Sequence, residues 1–253
     1  MITRDAIVSF LDTYLDIASI PDDSWNGLQY EGKPTIKTIV TAVDAGVETF
    51  QMALKRKADM IIVHHGQFWG KVNPSLRGWN GERLKILADN GISLYAAHLP
   101  LDRHPIVGNN AQLLKLLGAR KEKDAFFYHG KSIGWIGRFV RPISRDNLTL
   151  LIKKKLFPQT LSILPFGPEK ICTIGVCSGG GGHVGFFEAL SEGVDAYISG
   201  DATEVYHAAK DARLNVFFAG HHATETVGVK ALGEVLKNKF TIDVCFIDIP
   251  TGL

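Results

Sequence analysis

The stretch Asn215-Val-Phe-Phe-Ala-Gly-His-His-Ala-Thr-Glu-Thr226 decides the fold. It begins as an apolar run with the content of a buried strand. After Gly220 the apolar spacing becomes that of a helix, continuing through Val229, Leu232 and Leu236. A buried strand that passes straight into a helix is one step of an α/β sheet. The same junction carries chemistry. His221 and Glu225 lie four positions apart, and helical residues so spaced share a face with Cβ atoms roughly 5–6 Å apart. An imidazole and a carboxylate placed that way are able to grip one metal ion. The alternative is a plain helix start, with Thr224 near the cap and Glu225 favoured by the helix dipole. His222 is off the face of His221 and Glu225.

Two further strand ends carry the same residue types. Met60-Ile-Ile-Val63 runs into His64-His65-Gly66. Strand neighbours point to opposite faces, so the two histidines share a site only if the strand stops at Val63, where Gly66 eases a turn. The strand at Leu94-Tyr-Ala-Ala precedes His98-Leu-Pro-Leu-Asp102. Pro100 makes that segment read as a stiff extended or turn structure and not a helix. Asp102 is then a metal bridge, a partner of Arg103 or a turn cap. His98 is a ligand, an outer partner that orients one, or a hydrogen-bonded half-buried histidine. Carboxyl ends of parallel strands are where α/β sheets place their sites. His64, His65, Asp102, His221 and Glu225 together exceed the needs of one tetrahedral zinc and suit two adjacent ions with open positions.

Ser178-Gly179-Gly180-Gly181-Gly182 lies between a strand and a helix. Its amides are a candidate anion cradle at a helix N-terminus, or the glycines serve a tight turn. It is neither a Walker loop nor a dinucleotide fingerprint. Asp201, after Ser199-Gly200, reads as a helix N-cap or as an acid near the metals. His104, His129, His183 and His207 read as surface or packing residues.

Helix and strand signals alternate along the chain. Helix signals cover about Arg4–Ile17, with Thr3 as N-cap, then Gly46–Lys57, Glu82–Asn90 and Asn110–Leu117. Strand signals cover Thr38–Val43, Met60–Val63 and Ser93–Ala97. The charged stretch Ala119–Asp124 reads as a boundary. A second α/β run follows it, ending in a helix over Thr224–Lys239 and a strand over Asp243–Ile247. The expected fold is two α/β domains, each a sheet with helices on its faces and the metal site at strand carboxyl ends. Ligands from both chain ends imply that residues 1–125 plus 220–253 form the metal-binding domain and residues 126–219 the second domain.

Bulk properties narrow the classes. With 253 residues, 45% apolar and 21% charged, the chain has ordinary globular composition. Lys and Arg number 28 against 26 Asp and Glu, so charge gives no support for a nucleic-acid partner. Cys172, Cys177 and Cys245 form no CxxC pair and read as free thiols in a reducing compartment. No apolar run approaches the ~20 residues of a membrane span. These features together point to a soluble cytoplasmic protein.

The ordered set Asn26-Gly-Leu-Gln, His64–Gly66, His98–Asp102 with Asn109-Asn110, Cys177–Gly182, Tyr197–Asp201 and Gly220–Glu225 resembles the type 2 GTP cyclohydrolase I-like proteins, the dinuclear-metal-centre hexameric proteins, in their short form. The resemblance covers nearly the whole chain. It implies that His64, His65, Asp102, His221 and Glu225 ligate two divalent ions per subunit, of iron, zinc or manganese, with Asp102 and Glu225 able to bridge. It also implies a homohexamer of two-domain subunits and a small-molecule, nucleotide-like substrate opened by hydrolysis. The rival reading is a metal-binding, metal-delivery or scaffold protein without turnover.

Overall fold

The computed structural model describes residues 2–70 and 73–253. Packing divides the chain into two units. The first holds the chain through Leu101 together with Val229–Ile249, and the second holds Asp102–Gly228 and Pro250–Leu253.

The first unit runs β1 (Ile2–Thr3), α1 (Arg4–Tyr14), β2 (Gly27–Tyr30), β3 (Thr35–Ile36), β4 (Thr38–Asp44), α2 (Val47–Lys55), β5 (Met60–His65), α3 (Trp79–Asn90), β6 (Ser93–Ala96) and α4 (Leu99–Asp102). Thr3 caps α1 by accepting the Ala6 amide at 3.3 Å. The second unit runs α5 (Asn109–Leu117), β7 (Ala119–Tyr128), β8 (Lys131–Ser144), α6 (Arg145–Leu156), β9 (Ser162–Pro165), β10 (Lys170–Cys177), α7 (Gly182–Ser191), β11 (Ala196–Ser199), α8 (Tyr206–Ala212) and β12 (Asn215–Phe218). The unit boundary falls inside α9 (His221–Phe240), and β13 (Asp243–Phe246) belongs to the first unit.

In the first unit the sheet order is β13-β4-β5-β6-β2. Strands β13, β4, β5 and β6 are parallel, and β2 is antiparallel to β6. Val40, Ile61, Val63, Leu94 and Ala96 pack with Phe50 and Ala53 of α2 and Leu87 of α3 in one buried cluster. Helices against the sheet explain why the central strands are unbroken apolar runs and not alternating ones. The second unit's sheet has the order β7-β8-β10-β11-β12-β9. Its parallel centre is β10-β11-β12. Leu113, Leu114 and Leu117 of α5 and Ala223 and Val227 of α9 join the core around Ile174, Ile198 and Phe217. That packing places α5 and the start of α9 in this unit.

Four local expectations are corrected. Ala119–Asp124, read as a boundary, lies inside the second unit in β7, paired antiparallel with β8 from Ala119↔Phe139 onward. Its charges belong to an exposed edge strand, where they hinder pairing with other chains. Residues 99–102 are helical, because Pro100 falls in the first turn, where no backbone donor is required. The last helix begins at His221, before Thr224. Strand β5 continues to His65 and does not stop at Val63.

Candidate metal centre

The first unit gathers imidazoles at the carboxyl ends of β5 and β6. Pairing of β5 with β6 ends at Val63↔Ala96, while pairing with β4 continues to Asp44↔His65. His64 and His65 thus lie past the end of β6 with one strand edge released. Their ring centroids come within 4.7 Å of each other although they are neighbours on a strand. His98, just past β6, has its ring 5.1 Å from that of His64. One ring nitrogen from each of the three lies within 4.8 Å of the others. Gly66 has no room for a side chain: a Cβ there would collide with the Gln29 amide and come 2.7 Å from the Ala96 methyl.

Each of these rings is fixed through Nδ1. His64 Nδ1 donates to the Ala97 carbonyl at 2.9 Å. His65 Nδ1 donates to Asp44 Oδ1 at 2.7 Å, and His98 Nδ1 to Asp22 Oδ1 at 2.9 Å. A carbonyl or carboxylate oxygen only accepts, so Nδ1 carries the proton and a neutral ring has its lone pair on Nε2. Asp22 also accepts from the Ser24 amide, Asn26 Nδ2 and the Leu99 amide. Burial opposes its charge, but the bonds from His98, Asn26 and Ser24 outweigh that and lower Asp22 to about 2.

The second unit gathers its donors at the carboxyl ends of three adjacent parallel strands. Ser178 follows β10, Asp201 follows β11, and His221 follows β12. His221 Nδ1 donates to Asp201 Oδ1 at 2.9 Å, and its Nε2 is 3.2 Å from Glu225 Oε1. The four-residue spacing thus puts imidazole and carboxylate on one helix face. A carboxylate oxygen of Glu225 lies within 4.8 Å of one from Asp102. Asp102, Asn109, Asn110 and Glu225 are all buried. Asp102 Oδ1 accepts from Asn109 Nδ2 at 2.8 Å and from Ser178 Oγ at 2.9 Å. Asn109 in turn accepts the Gly228 amide at 2.8 Å, which ties α5 to α9. Burial works against charge on His221, but its bonds to Asp201 and Glu225 and the fields of both carboxylates push it up to about 11. The cluster is built to stabilise positive charge.

Three amides of the glycine loop are taken by side chains of the fold. The amides of Ser178, Gly179 and Gly181 donate to Asn110 Oδ1, Thr224 Oγ1 and Ser199 Oγ, at 2.8, 3.0 and 3.2 Å. These three are engaged within the fold. Gly179 has φ +59°, and a Cβ on it would strike the Glu225 carboxylate. The glycine lets the loop lie against Glu225. Of the residues expected around the donors, His98 joins the imidazoles of the first unit and Asp201 holds His221. Asp22 and Asp44 escape a reading of the sequence. The signal for Asp44 is its place at the carboxyl end of parallel β4; Asp22, in an irregular loop, gives none.

Residues 2–252 match the family profile described as Duf34/NIF3 (NGG1p interacting factor 3). The chain belongs to the Duf34/NIF3 family. A relative from Pyrococcus horikoshii, named "GTP cyclohydrolase 1 type 2 homolog", is 49% identical over 251 residues, covering 99% of both chains. A Vibrio cholerae protein of the same name is 41% identical over 244 residues, covering 95% of this chain and 96% of its own. The solved structure of protein ybgI, described as of unknown function, is similar at TM-score 0.92 and 38% identity and covers 100% of both chains. The resemblance read from the motifs and the α/β fold class are borne out. Within the Duf34/NIF3 chain, no helix among the described residues is long and apolar enough to cross a membrane.

Proposed function

We propose that this Duf34/NIF3 protein holds two divalent metal ions through His64, His65, Asp102, His221 and Glu225 and hydrolyses a nucleotide or related small molecule. The observation that carries the reading is the common state of four imidazoles. His64, His65, His98 and His221 each have Nδ1 bonded to a carbonyl or carboxylate oxygen. That arrangement orients Nε2 and raises its basicity, as around histidine ligands generally. Buried Asp102 and Glu225 add carboxylate oxygens, so the donor set fits a first-row divalent ion. Imidazole with carboxylate suits zinc, iron and manganese alike. Burial, with Asp102, Glu188 and Glu225 nearby, pushes the Cys177 thiol up, so it stays protonated and outside the donor set.

Divalent ions supply Lewis acidity, which activates water near neutral pH and stabilises negative charge developing on oxygen. The chain's own groups do the rest. Ionised Asp22 keeps the proton on His98 Nδ1, leaving Nε2 to hold or move a second proton. Asn109 and Ser178 fix Asp102, and Asp201 fixes His221. The relatives named "GTP cyclohydrolase 1 type 2 homolog" support a nucleotide as the first substrate class to try.

A second reading, metal binding or delivery without turnover, is favoured by one observation. Asp22, Asp44 and Asp201, acids beside the donors, each already bond to an imidazole. Metal-loaded protein assayed against GTP, other nucleotides and phosphoesters separates the two. Turnover that Asp102→Ala abolishes supports the hydrolase; stable metal content without turnover on any of these supports the binder. We also propose a homo-oligomer, a hexamer by the resemblance. Phe127 and Phe187 support it, being 54% and 53% exposed, since aromatic residues are enriched at interfaces. A monomer in sedimentation, unchanged by added metal, contradicts it.

A further inference from the structure

Three rings close a triangle past the carboxyl ends of β5 and β6. The Trp69 centroid lies 5.1 Å from that of His98 and 6.0 Å from that of His65, and the two imidazoles are 5.6 Å apart. The indole stands edge-on to His98, at an interplanar angle of 69°, and is tilted by 43° to His65. These are the separations at which aromatic rings attract one another. Trp69 is itself held firmly. Its indole N–H donates to the Gly66 carbonyl at 3.1 Å, and its backbone forms an antiparallel bridge with Ser24. The Trp25 amide donates to the Phe68 carbonyl at 3.1 Å, and the Gly70 amide to the Asp23 carbonyl at 2.6 Å. The Gln67 amide donates to Gln29 Oε1 at 2.7 Å, and Gln67 Nε2 to Asn80 Oδ1. The same loop at residues 21–26 holds His98: Asp22 accepts from Nδ1 at 2.9 Å, and Asn26 Oδ1 accepts the His98 amide at 2.7 Å. Indole and imidazole thus share one frame.

The imidazoles differ in how much packing restrains them. His64 is 0% exposed, so the core surrounds its ring. The side chains of His65 and His98 are 17% and 20% exposed. Each is anchored at Nδ1, by Asp44 and by Asp22. A hydrogen bond tolerates a broad range of angles at its acceptor, so Nε2 on the far side of the ring keeps some swing. A rigid ring laid against the imidazole removes it. Trp69 is half-buried and lies against both rings. A first-row ion takes imidazole nitrogen only at about 2.0–2.1 Å, which makes the ring angle matter.

We propose that Trp69 is a positioning residue of the metal centre, its indole holding the His65 and His98 rings in fixed orientation beside each other. The inference rests on the metal-binding reading of these imidazoles. Cobalt(II), whose visible bands report ligand geometry, is the probe, and the full chain is the sample. Trp69→Ala weakens cobalt binding roughly 10- to 100-fold in competition with a chelator, the range for loss of a group that orients a ligand, and moves the visible bands. Trp69→Phe keeps a ring against both imidazoles and restores most of both. Unaltered affinity and bands in Trp69→Ala, or a Trp69→Phe as weak as Trp69→Ala, overturn the proposal. Circular dichroism reads the fold of each sample. If Trp69→Ala does not fold, Trp69→Leu, which keeps apolar bulk without a ring, takes its place with the same expected outcomes. Nuclear magnetic resonance of the metal-free protein keeps the two readings apart. Cross-relaxation between the His65 and His98 ring protons is present, fades in Trp69→Ala and returns in Trp69→Phe. If the unsubstituted protein takes up no cobalt, the metal centre falls and this contact decides alone. Kept unchanged in Trp69→Ala, it overturns the role of Trp69; lost there and regained in Trp69→Phe, it supports that role.

Discussion

Replacing Asp22 with asparagine tests the carboxylate network beneath His98. The side chain of Asp22 is 3% exposed and accepts from His98, Asn26 and the amides of Ser24 and Leu99. Asparagine keeps the volume and one acceptor oxygen but loses the charge. Folding lowers Asp22 from 3.8 to about 2, a difference worth roughly 2–3 kcal/mol. Because the folded value is the lower one, this stability is complete above about pH 5 and is lost as pH falls through about 2. By pH 3 it has shrunk to roughly half. At about 2–4 °C per kcal/mol for a chain of this size, Asp22→Asn lowers Tm by roughly 5–10 °C at pH 7. The gap from the unsubstituted protein narrows to roughly half at pH 3. Thermal unfolding followed by circular dichroism at both pH values reads this directly. An equal deficit at both would show that the loss is packing and not charge, and no deficit at pH 7 would falsify the network.

His221→Ala weakens metal binding more than His222→Ala, because His221 is on the face of Glu225; the opposite ranking in competition with a chelator sinks the helix-face argument. Since His221 is raised to about 11, it is charged at pH 7, and metal uptake releases a proton. Apparent affinity therefore rises with pH, and calorimetry in buffers of differing ionisation enthalpy measures the release. Asp201→Asn reduces that release and weakens binding about 10- to 100-fold; unchanged values on both counts refute the role given to Asp201. Gly179→Ala forces a Cβ into a left-handed backbone against Glu225 and costs about 1–3 kcal/mol, so urea unfolding at an unaltered midpoint contradicts the close approach.

Much of this fold is legible in the sequence because parallel strands covered by helices become unbroken apolar runs. Met60–Val63, Ala196–Ser199 and Asn215–Phe218 show it, and the donors appear where such runs end. The four-residue spacing of His221 and Glu225 is equally readable, because helix geometry alone sets it. Strand β7 is not readable: an edge strand with an exposed face is charged like a linker. Strand β2, Gly27–Tyr30, is short, half-buried and antiparallel, and shows neither long run nor clean alternation. The imidazole partners are hidden for another reason. Asp22 meets His98 across 76 positions of the chain, and Asp44 meets His65 across 21, so tertiary packing alone sets both pairs. For the glycine loop, composition shows the free geometry but not which side chains take the amides of Ser178, Gly179 and Gly181.

Elemental analysis of the full chain, purified without chelator and then supplemented with iron, zinc or manganese, tests the central claim most directly. The account predicts about two ions per chain, with the content reduced in Asp102→Ala and Glu225→Ala. Less than about one ion per chain, with no uptake from any of the three metals, contradicts it.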